Sequence, residues 1–308
     1  MSVRAAIYLV AALGLAGCTA TMPAEPRTAV AMPTASAPGL AIDEGLAPCK
    51  PWDEWDKPAR PTRILGNTWY VGTCGISAIL IADPAGHVLI DSGTAKGGEL
   101  ILANIRKIGA DPADIRYLLY SHEHFDHVGG HAVIARATGA QIIATARARA
   151  VFETGEVSAE DPQADAGHPA MAPVAVDRII ADGETLTLGD IAITAHTTPG
   201  HTPGALSWTW MACSSPEEPP VCRRLAYVDS LSPVSADSYR FSDHPEVVAA
   251  FRASFAKVAQ LPCDELYTPH PSASGREAGN TGYGQCETYA RALSQRLDKR
   301  LAEEAAGG

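Results

Sequence analysis

The stretch Ser121-His122-Glu123-His124-Phe125-Asp126-His127 decides how this chain is read. After Ser121, three imidazoles and a carboxylate crowd together, with Glu123 and Phe125 as spacers. All four are good ligands for a borderline cation such as zinc. The apolar run Tyr117-Leu118-Leu119-Tyr120 precedes the motif and reads as a buried strand. Val128-Gly129-Gly130 follows it, where a helix can begin. On a strand-to-helix loop adjacent side chains point different ways, so ligands packed this tightly can serve two neighbouring metals. A solvated polar loop is the plainer reading, and the density of ligands argues against it.

Outward from the motif, the composition describes a packed body. The chain has 308 residues, 46% hydrophobic and 19% charged, enough for one large domain or two small ones. A net charge of −11 argues against a polyanionic partner such as nucleic acid and favours a small-molecule substrate. Residues 1–17 read as an export signal: Arg4 is a minimal basic region, and Ala5 to Ala16 is apolar but too short for a stable membrane span. The segment ends in Leu15-Ala16-Gly17-Cys18, which resembles the bacterial lipobox whose cysteine is lipidated; ordinary cleavage after Ala20 is the competing reading. Residues 18–48, rich in Ala, Pro, Thr and Ser, read as a disordered tether, and 49–308 as the catalytic domain. The expectation is a periplasmic protein held to the membrane only through Cys18, with soluble periplasm as the alternative.

Without Cys18, six cysteines remain: Cys49, Cys74, Cys213, Cys222, Cys263 and Cys286. An even number in an exported chain suggests disulfides, and six cysteines allow 15 connectivities. Pairing sequence neighbours is the simplest, and Cys213 and Cys222 flank a polar turn that a disulfide bridges easily.

Along the body, Thr68 to Val71, Ile76 to Ala82, His87 to Asp91 and Gln141 to Ala144 read as strands. Lys96 to Ile108, Val128 to Thr138, Thr145 to Val151, Pro245 to Gln260 and Glu287 to Glu304 read as helices. Further strands flank Asp182-Gly183 and Gly189-Asp190, and two more follow at Leu206 to Ala212 and Arg224 to Asp229. The proline-rich, acidic stretch 153–174 reads as a long loop of the kind that is often functional. Strands with interspersed helices, twice over, suggest two packed sheets with helices outside, an α+β body.

Two more histidines sit in suggestive settings. His201 lies in Thr198-Pro199-Gly200-His201-Thr202-Pro203-Gly204, and His270 in Thr268-Pro269-His270-Pro271. Together with Leu89-Ile90-Asp91-Ser92-Gly93 and the His122 motif, in this order, they make the chain resemble the metallo-β-lactamase superfamily. Asn67-Thr68-Trp69-Tyr70-Val71-Gly72-Thr73-Cys74-Gly75-Ile76-Ser77 and Asp229-Ser230-Leu231-Ser232 resemble class B β-lactamases of the third subclass. The resemblance implies a four-layer αβ/βα sandwich with metals at one edge of the sheets. It implies two Zn²⁺ ions, the first held by His122, His124 and His201, the second by Asp126, His127 and His270. It further implies a hydrolase that opens the β-lactam amide bond with zinc-activated hydroxide and so confers antibiotic resistance; a monomer is the separate expectation for the assembly. A lactone, thioester or phosphoester hydrolase of the same superfamily is the alternative. The subclass's disulfide near the last histidine ligand maps onto Cys263 and Cys286.

Asp126 and Ser230 take the catalytic assignment, and Ser230 with Ser232 contacts the substrate. In a second register Asp229 would instead bridge the metals. Asp91 is either an acceptor behind a ligating imidazole or a strand-end turn carboxylate. His87, His131, His168, His196 and His244 carry no matching motif and read as surface or packing residues. Ser254-Phe255-Ala256-Lys257 fits the S-x-x-K pattern of serine β-lactamases, but its companion S-D-N and K-T-G motifs are absent, so it reads as helix surface.

Overall fold

A run of β-branched and aromatic residues, Thr68-Trp69-Tyr70, opens the first long buried stretch of the chain. In the computed structural model, which describes residues 46–214, 220–274 and 286–307, these residues form a strand buried along its length. The export segment, Cys18 and the tether as far as residue 45 lie outside the described residues, as do residues 215–219 and 275–285. No helix among the described residues is long and apolar enough to cross a membrane.

The elements run β1 (Thr62–Leu65), β2 (Thr68–Tyr70), β3 (Ile79–Ile81), β4 (His87–Ile90), α1 (Ala95–Lys107), β5 (Ile115–Leu119), α2 (Phe125–Val128), α3 (His131–Thr138), β6 (Gln141–Ala144), α4 (Arg149–Thr154) and β7 (Arg178–Ile179). Then come β8 (Thr185–Leu188), β9 (Ile191–Thr197), β10 (Leu206–Cys213), β11 (Cys222–Tyr227), α5 (Pro245–Val258), β12 (Glu265–Tyr267) and α6 (Cys286–Ala306). Strands β1 to β7 form one sheet in sequence order; the second has the order β12-β11-β10-β9-β8. Each sheet is mixed. Pairing is antiparallel from β1 to β4 and parallel from β4 to β7; β8 to β11 are antiparallel and β12 joins β11 in parallel.

One apolar core lies between the sheets and continues under α1 and α3. Ile79, Leu80, Leu89, Leu118 and Ile142 from the first sheet meet Ile193, Leu206, Trp208 and Leu225 from the second, with Ile101, Ile105 and Ile134 from the helices. The second core covers the other face of the second sheet, where Ala226, Val228 and Leu266 pack on Phe251 and Phe255 of α5 and Leu293 and Leu297 of α6. In β9, Ile191, Ile193 and Ala195 point inward at every second residue, the period that buries one face of a strand. Helix–sheet–sheet–helix layering follows from burying both faces of both sheets. This is the four-layer αβ/βα sandwich that the resemblance implies.

Parallel pairing places the functional loops. β4 and β5 run together, so Asp91 and the His122 motif leave the same edge of the first sheet. β9, β11 and β12 share a direction in the second sheet, so the loops holding His201, Ser230 and His270 leave one edge too. Leu206 N donates to Ser121 O at 2.6 Å, and Ser77 N to Pro269 O at 2.7 Å, stitching the two edges together.

Three disulfides join Cys49–Cys74, Cys213–Cys222 and Cys263–Cys286. The element boundaries differ from the sequence reading in places. The helix expected from Val128 starts at His131 instead, because Gly130 N donates out of the helix to Gly93 O at 3.0 Å; Gly130 also sits so close to Ser92 O that a Cβ would stand 2.3 Å from it. The short helix expected over 145–151 starts at Arg149, since Thr145 turns its hydroxyl to Tyr120 and Gly204 O. β1 was not anticipated: it is a half-exposed edge strand without an apolar pattern.

Candidate metal centre

Five imidazoles and one carboxylate converge where the two sheet edges meet. His122, His124 and His201 bring their ligand atoms within 4.8 Å of one another, and so do His122, Asp126 and His127. His127 Nε2 lies 3.0 Å from Asp126 Oδ2 and 3.3 Å from His270 Nε2, and His270 Nε2 lies 3.4 Å from that same Asp126 oxygen. The structure therefore brings together all six residues expected to ligate. Cys49, Asp53 and Cys74 also cluster, but both sulfurs are spent in a disulfide.

Each ring has an acceptor on its outer nitrogen. His122 Nδ1 is 2.9 Å from Asp229 Oδ1, although the approach is off-line for a hydrogen bond. His124 Nε2 meets Asp161 Oδ2 at 2.9 Å, and His201 Nδ1 meets Ser232 O at 2.9 Å. His127 Nδ1 faces Asp91 Oδ2 at 3.4 Å, again off-line, and His270 Nδ1 faces Gly75 O at 3.3 Å. Acceptors outside assign the proton to the outer nitrogen and leave the lone pair on the inner one. Three inner lone pairs then converge at His122, His124 and His201, and three more at Asp126, His127 and His270. Convergent lone pairs repel one another unless a cation lies between them, so the donors fit two metal ions.

Electrostatics agrees. Burial holds the His122 imidazole well below its ordinary range and takes His201 down to about 3 and His270 to about 4, so these rings stay neutral and keep their lone pairs. Burial also opposes charge on His127, but Asp126 and Asp91 outweigh it and carry that ring up to about 10. The carboxylates thus draw positive charge to this spot, a demand a divalent cation meets better than a proton. Burial likewise opposes ionisation of Asp126, yet His127 and His270 hold its carboxyl well below the usual range.

Asp91 works as an acceptor behind the rings. It is fully buried, takes Ser121 N at 2.6 Å, Ser121 Oγ at 2.8 Å and the Tyr227 hydroxyl at 2.7 Å, and is held at φ +62°. A non-glycine residue there costs about 1–3 kcal/mol and persists only where its surroundings fix it. Asp229 stands behind His122, with Leu231 N donating to its other oxygen at 3.1 Å. Burial raises its carboxyl well above the usual range. Ser230 and Ser232 line the cavity in front.

That cavity, of about 330 Å³, is walled by the ligands and by Trp52, Trp55, Phe125, Gln163, His168, Val234, Tyr289 and Arg296, among others. Trp52 and Trp55 are 64% and 41% exposed despite their size, and their rings approach His270 and Phe125. The Cys49–Cys74 disulfide and the Trp52 N to Ser272 Oγ hydrogen bond at 2.8 Å hold their segment in place.

Several contributors escaped the sequence reading. Glu123, counted as a spacer, is buried and accepts from the Thr202 hydroxyl at 2.6 Å and Gly204 N at 2.7 Å, tying the first ligand loop to the His201 loop. Gly204 is needed there, since a Cβ would sit 2.8 Å from Glu123 Oε1 and 2.6 Å from Ala148 Cβ. Asp161, Gln163 and His168 come from the long loop 153–174, whose prolines, acids and length marked it without singling out these three. His168, read as a surface or packing residue, packs its ring 4.9 Å from that of His124 in the cavity wall. Ser254 is not helix surface either. It is 2% exposed and donates to Pro199 O at 2.7 Å, holding the His201 loop against α5. His87 and His131 are buried, while His196 pairs with Thr209 and His244 with Glu246.

Residues 71–212 match the metallo-beta-lactamase superfamily. The chain is 50% identical to the metallo-β-lactamase MIM-1 from Novosphingobium pentaromativorans, with a TM-score of 0.80 over 85% of this chain and 98% of that one. The chain belongs to the metallo-β-lactamase superfamily. Another superfamily structure, the subclass B3 enzyme BJP-1 of Bradyrhizobium japonicum, is 32% identical, with a TM-score of 0.72 over 83% of this chain and 98% of that one. Among curated superfamily relatives, a hydroxyacylglutathione hydrolase of Anaeromyxobacter dehalogenans is 32% identical over 31% of this chain and 29% of its own length. The chain spans between 29% and 54% of the first curated relatives it matches.

Proposed function

We propose that this superfamily hydrolase is a two-zinc β-lactamase of subclass B3. The observation that carries the reading is the pair of three-donor groups sharing one edge with Ser230 and Ser232. His122, His124 and His201 would hold the first zinc through Nε2, Nδ1 and Nε2, and Asp126, His127 and His270 the second. When bound, the ions supply Lewis acidity toward the lactam carbonyl and lower the pKa of water toward neutrality. The chain's own part is orientation. Asp161, Ser232 O and Gly75 O hold His124, His201 and His270 by hydrogen bonds, and Asp229 and Asp91 stand beside His122 and His127, which limits how far the rings must reorganise during reaction. Asp126 turns Oδ2 to His127 and His270. The Ser230 and Ser232 hydroxyls donate to the carboxylate of the substrate, and the aromatic wall of Trp52, Trp55 and Phe125 covers its apolar face and sheds water.

A different superfamily hydrolysis, of a thioester or lactone, is the second reading, favoured by relatives named hydroxyacylglutathione hydrolase and N-acyl homoserine lactonase. Against it, Asp229 lies behind His122 and leaves serines facing the cavity. Hydrolysis of a chromogenic cephalosporin by the purified protein, abolished by a chelator and restored by zinc, tests the first reading. No turnover beside rapid cleavage of a glutathione thioester would establish the second. We also propose export and anchoring at Cys18. Fractionation of expressing bacteria should find the protein with the membrane, and a mature N-terminus beyond Cys18 in soluble periplasm would show ordinary cleavage.

A further inference from the structure

We infer that Arg296 selects anionic substrates, taking the substrate carboxylate between its guanidinium and the Ser230 and Ser232 hydroxyls. The inference rests on the β-lactamase reading above and names a residue outside the metal ligands. Tyr289, Leu293 and Arg296 recur at i, i+4 and i+7 on α6, so they form one stripe, and all three line the cavity. The Tyr289 hydroxyl donates to Ser230 O at 2.8 Å, which docks the stripe on the serine wall. Tyr289 and Leu293 are buried, and Arg296 stands beyond them at the exposed end.

The pairing pattern of the helix singles this residue out. Arg291 is paired with Glu287, Arg300 with Glu304, and Asp298 with Arg252. Arg296 has no carboxylate or hydrogen-bond partner among the described residues, and among them it is the sole Lys or Arg in the cavity wall. The carboxylates Asp91, Glu123, Asp126, Asp161 and Asp229 are buried around the metal ligands, and of these only Asp126 lines the cavity. Beside the metal ions, Arg296 is therefore the fixed positive charge that the described cavity wall offers an incoming carboxylate. A guanidinium forks onto a carboxylate through two parallel hydrogen bonds, which a neutral ester cannot accept with the same strength.

The test compares a cephalosporin bearing its free carboxylate with its methyl ester, on the zinc-loaded full chain. Arg296→Ala should lower kcat/KM for the acid about ten-fold, through KM rather than kcat, and leave the ester unchanged. Arg296→Glu should lower it further, Arg296→Lys should restore part of it, and added salt should shrink the wild-type preference. Equal losses for acid and ester, or none, would overturn the assignment. Should the wild type leave both compounds intact, the β-lactamase reading fails, and the same pair serves as inert ligands in calorimetry. Tighter binding of the acid that disappears in Arg296→Ala then sustains the carboxylate site, and equal binding in both proteins refutes it.

Discussion

Replacing Asp161 by Asn should weaken the first metal site and spare the second. Asp161 has two acceptor oxygens and two buried donors to serve: His124 Nε2 at 2.9 Å and Gln163 N at 2.7 Å. Asparagine has one oxygen. If that oxygen stays with Gln163, the amide NH₂ faces His124 and drives the ring proton to Nδ1, the nitrogen needed for the metal. If it serves His124 instead, Gln163 N is orphaned in a buried place, at a cost of about 1–3 kcal/mol. Loss of an acceptor behind a ligating histidine typically weakens metal binding about 10–100-fold, which is about 1.4–2.7 kcal/mol. Titration with zinc against a chromophoric chelator measures this, and cobalt(II) absorption separates the all-nitrogen site from the one containing Asp126. The His122–His124–His201 site should lose at least about ten-fold in affinity, while the Asp126–His127–His270 site keeps its own. An unchanged first-site affinity in a folded variant, or equal losses at both sites, would refute the reasoning.

Ser254→Ala should lower stability by about 1 kcal/mol, the usual worth of one buried hydrogen bond, as read by chemical denaturation. Serine-directed lactam inhibitors should leave the wild-type mass unchanged, and an adduct at Ser254 would count against the metal-based reading. His131 is pressed by burial down to about 3, with Ser92 Oγ at 2.7 Å, so the folded state binds fewer protons than the unfolded one between that value and 6.5. Stability of the metal-free protein should therefore fall as pH drops through this window, by about 1.4 kcal/mol per pH unit from this group. His131→Gln should flatten that slope in denaturation curves between pH 7 and pH 4.5, and an unchanged slope would exclude His131 as its source. Replacing Cys263 and Cys286 together by Ser opens a loop of sequence separation 23 and should cost about 3 kcal/mol. Non-reducing peptide mapping should recover all three neighbour pairs.

Much of the centre was legible before any coordinates because its ligands are local. His122, His124, Asp126 and His127 share one strand-to-helix segment, and His201 and His270 each sit beside prolines that mark a strand end. A catalytic loop must carry unusual residues in unusual density, and a single sequence displays that. The outer acceptors were less legible. Asp91 was half recognised through its place after a strand, while Asp161, Glu123 and the carbonyls of Ser232 and Gly75 were not. Nothing in a lone acid or a backbone oxygen tells which imidazole will come to lie beside it from 37 residues or 195 residues away.

By itself, then, the sequence determined the layered α+β body, the identity of the six candidate ligands and the order in which they arise. Periodicity, turn chemistry and ligand type are local properties, fixed by sterics and donor atoms within a few residues. Only the tertiary structure decided that Asp229 stands behind His122 while Ser230 and Ser232 face the cavity, because a one-residue shift at a strand end reverses which side chain points inward. It also decided that His168 belongs to the cavity wall, that Ser254 ties a helix to the His201 loop, and that Arg296 has no partner among the described residues. These depend on how two sheets and two helices close on one another, and the free energy of that closure is spread over the whole core.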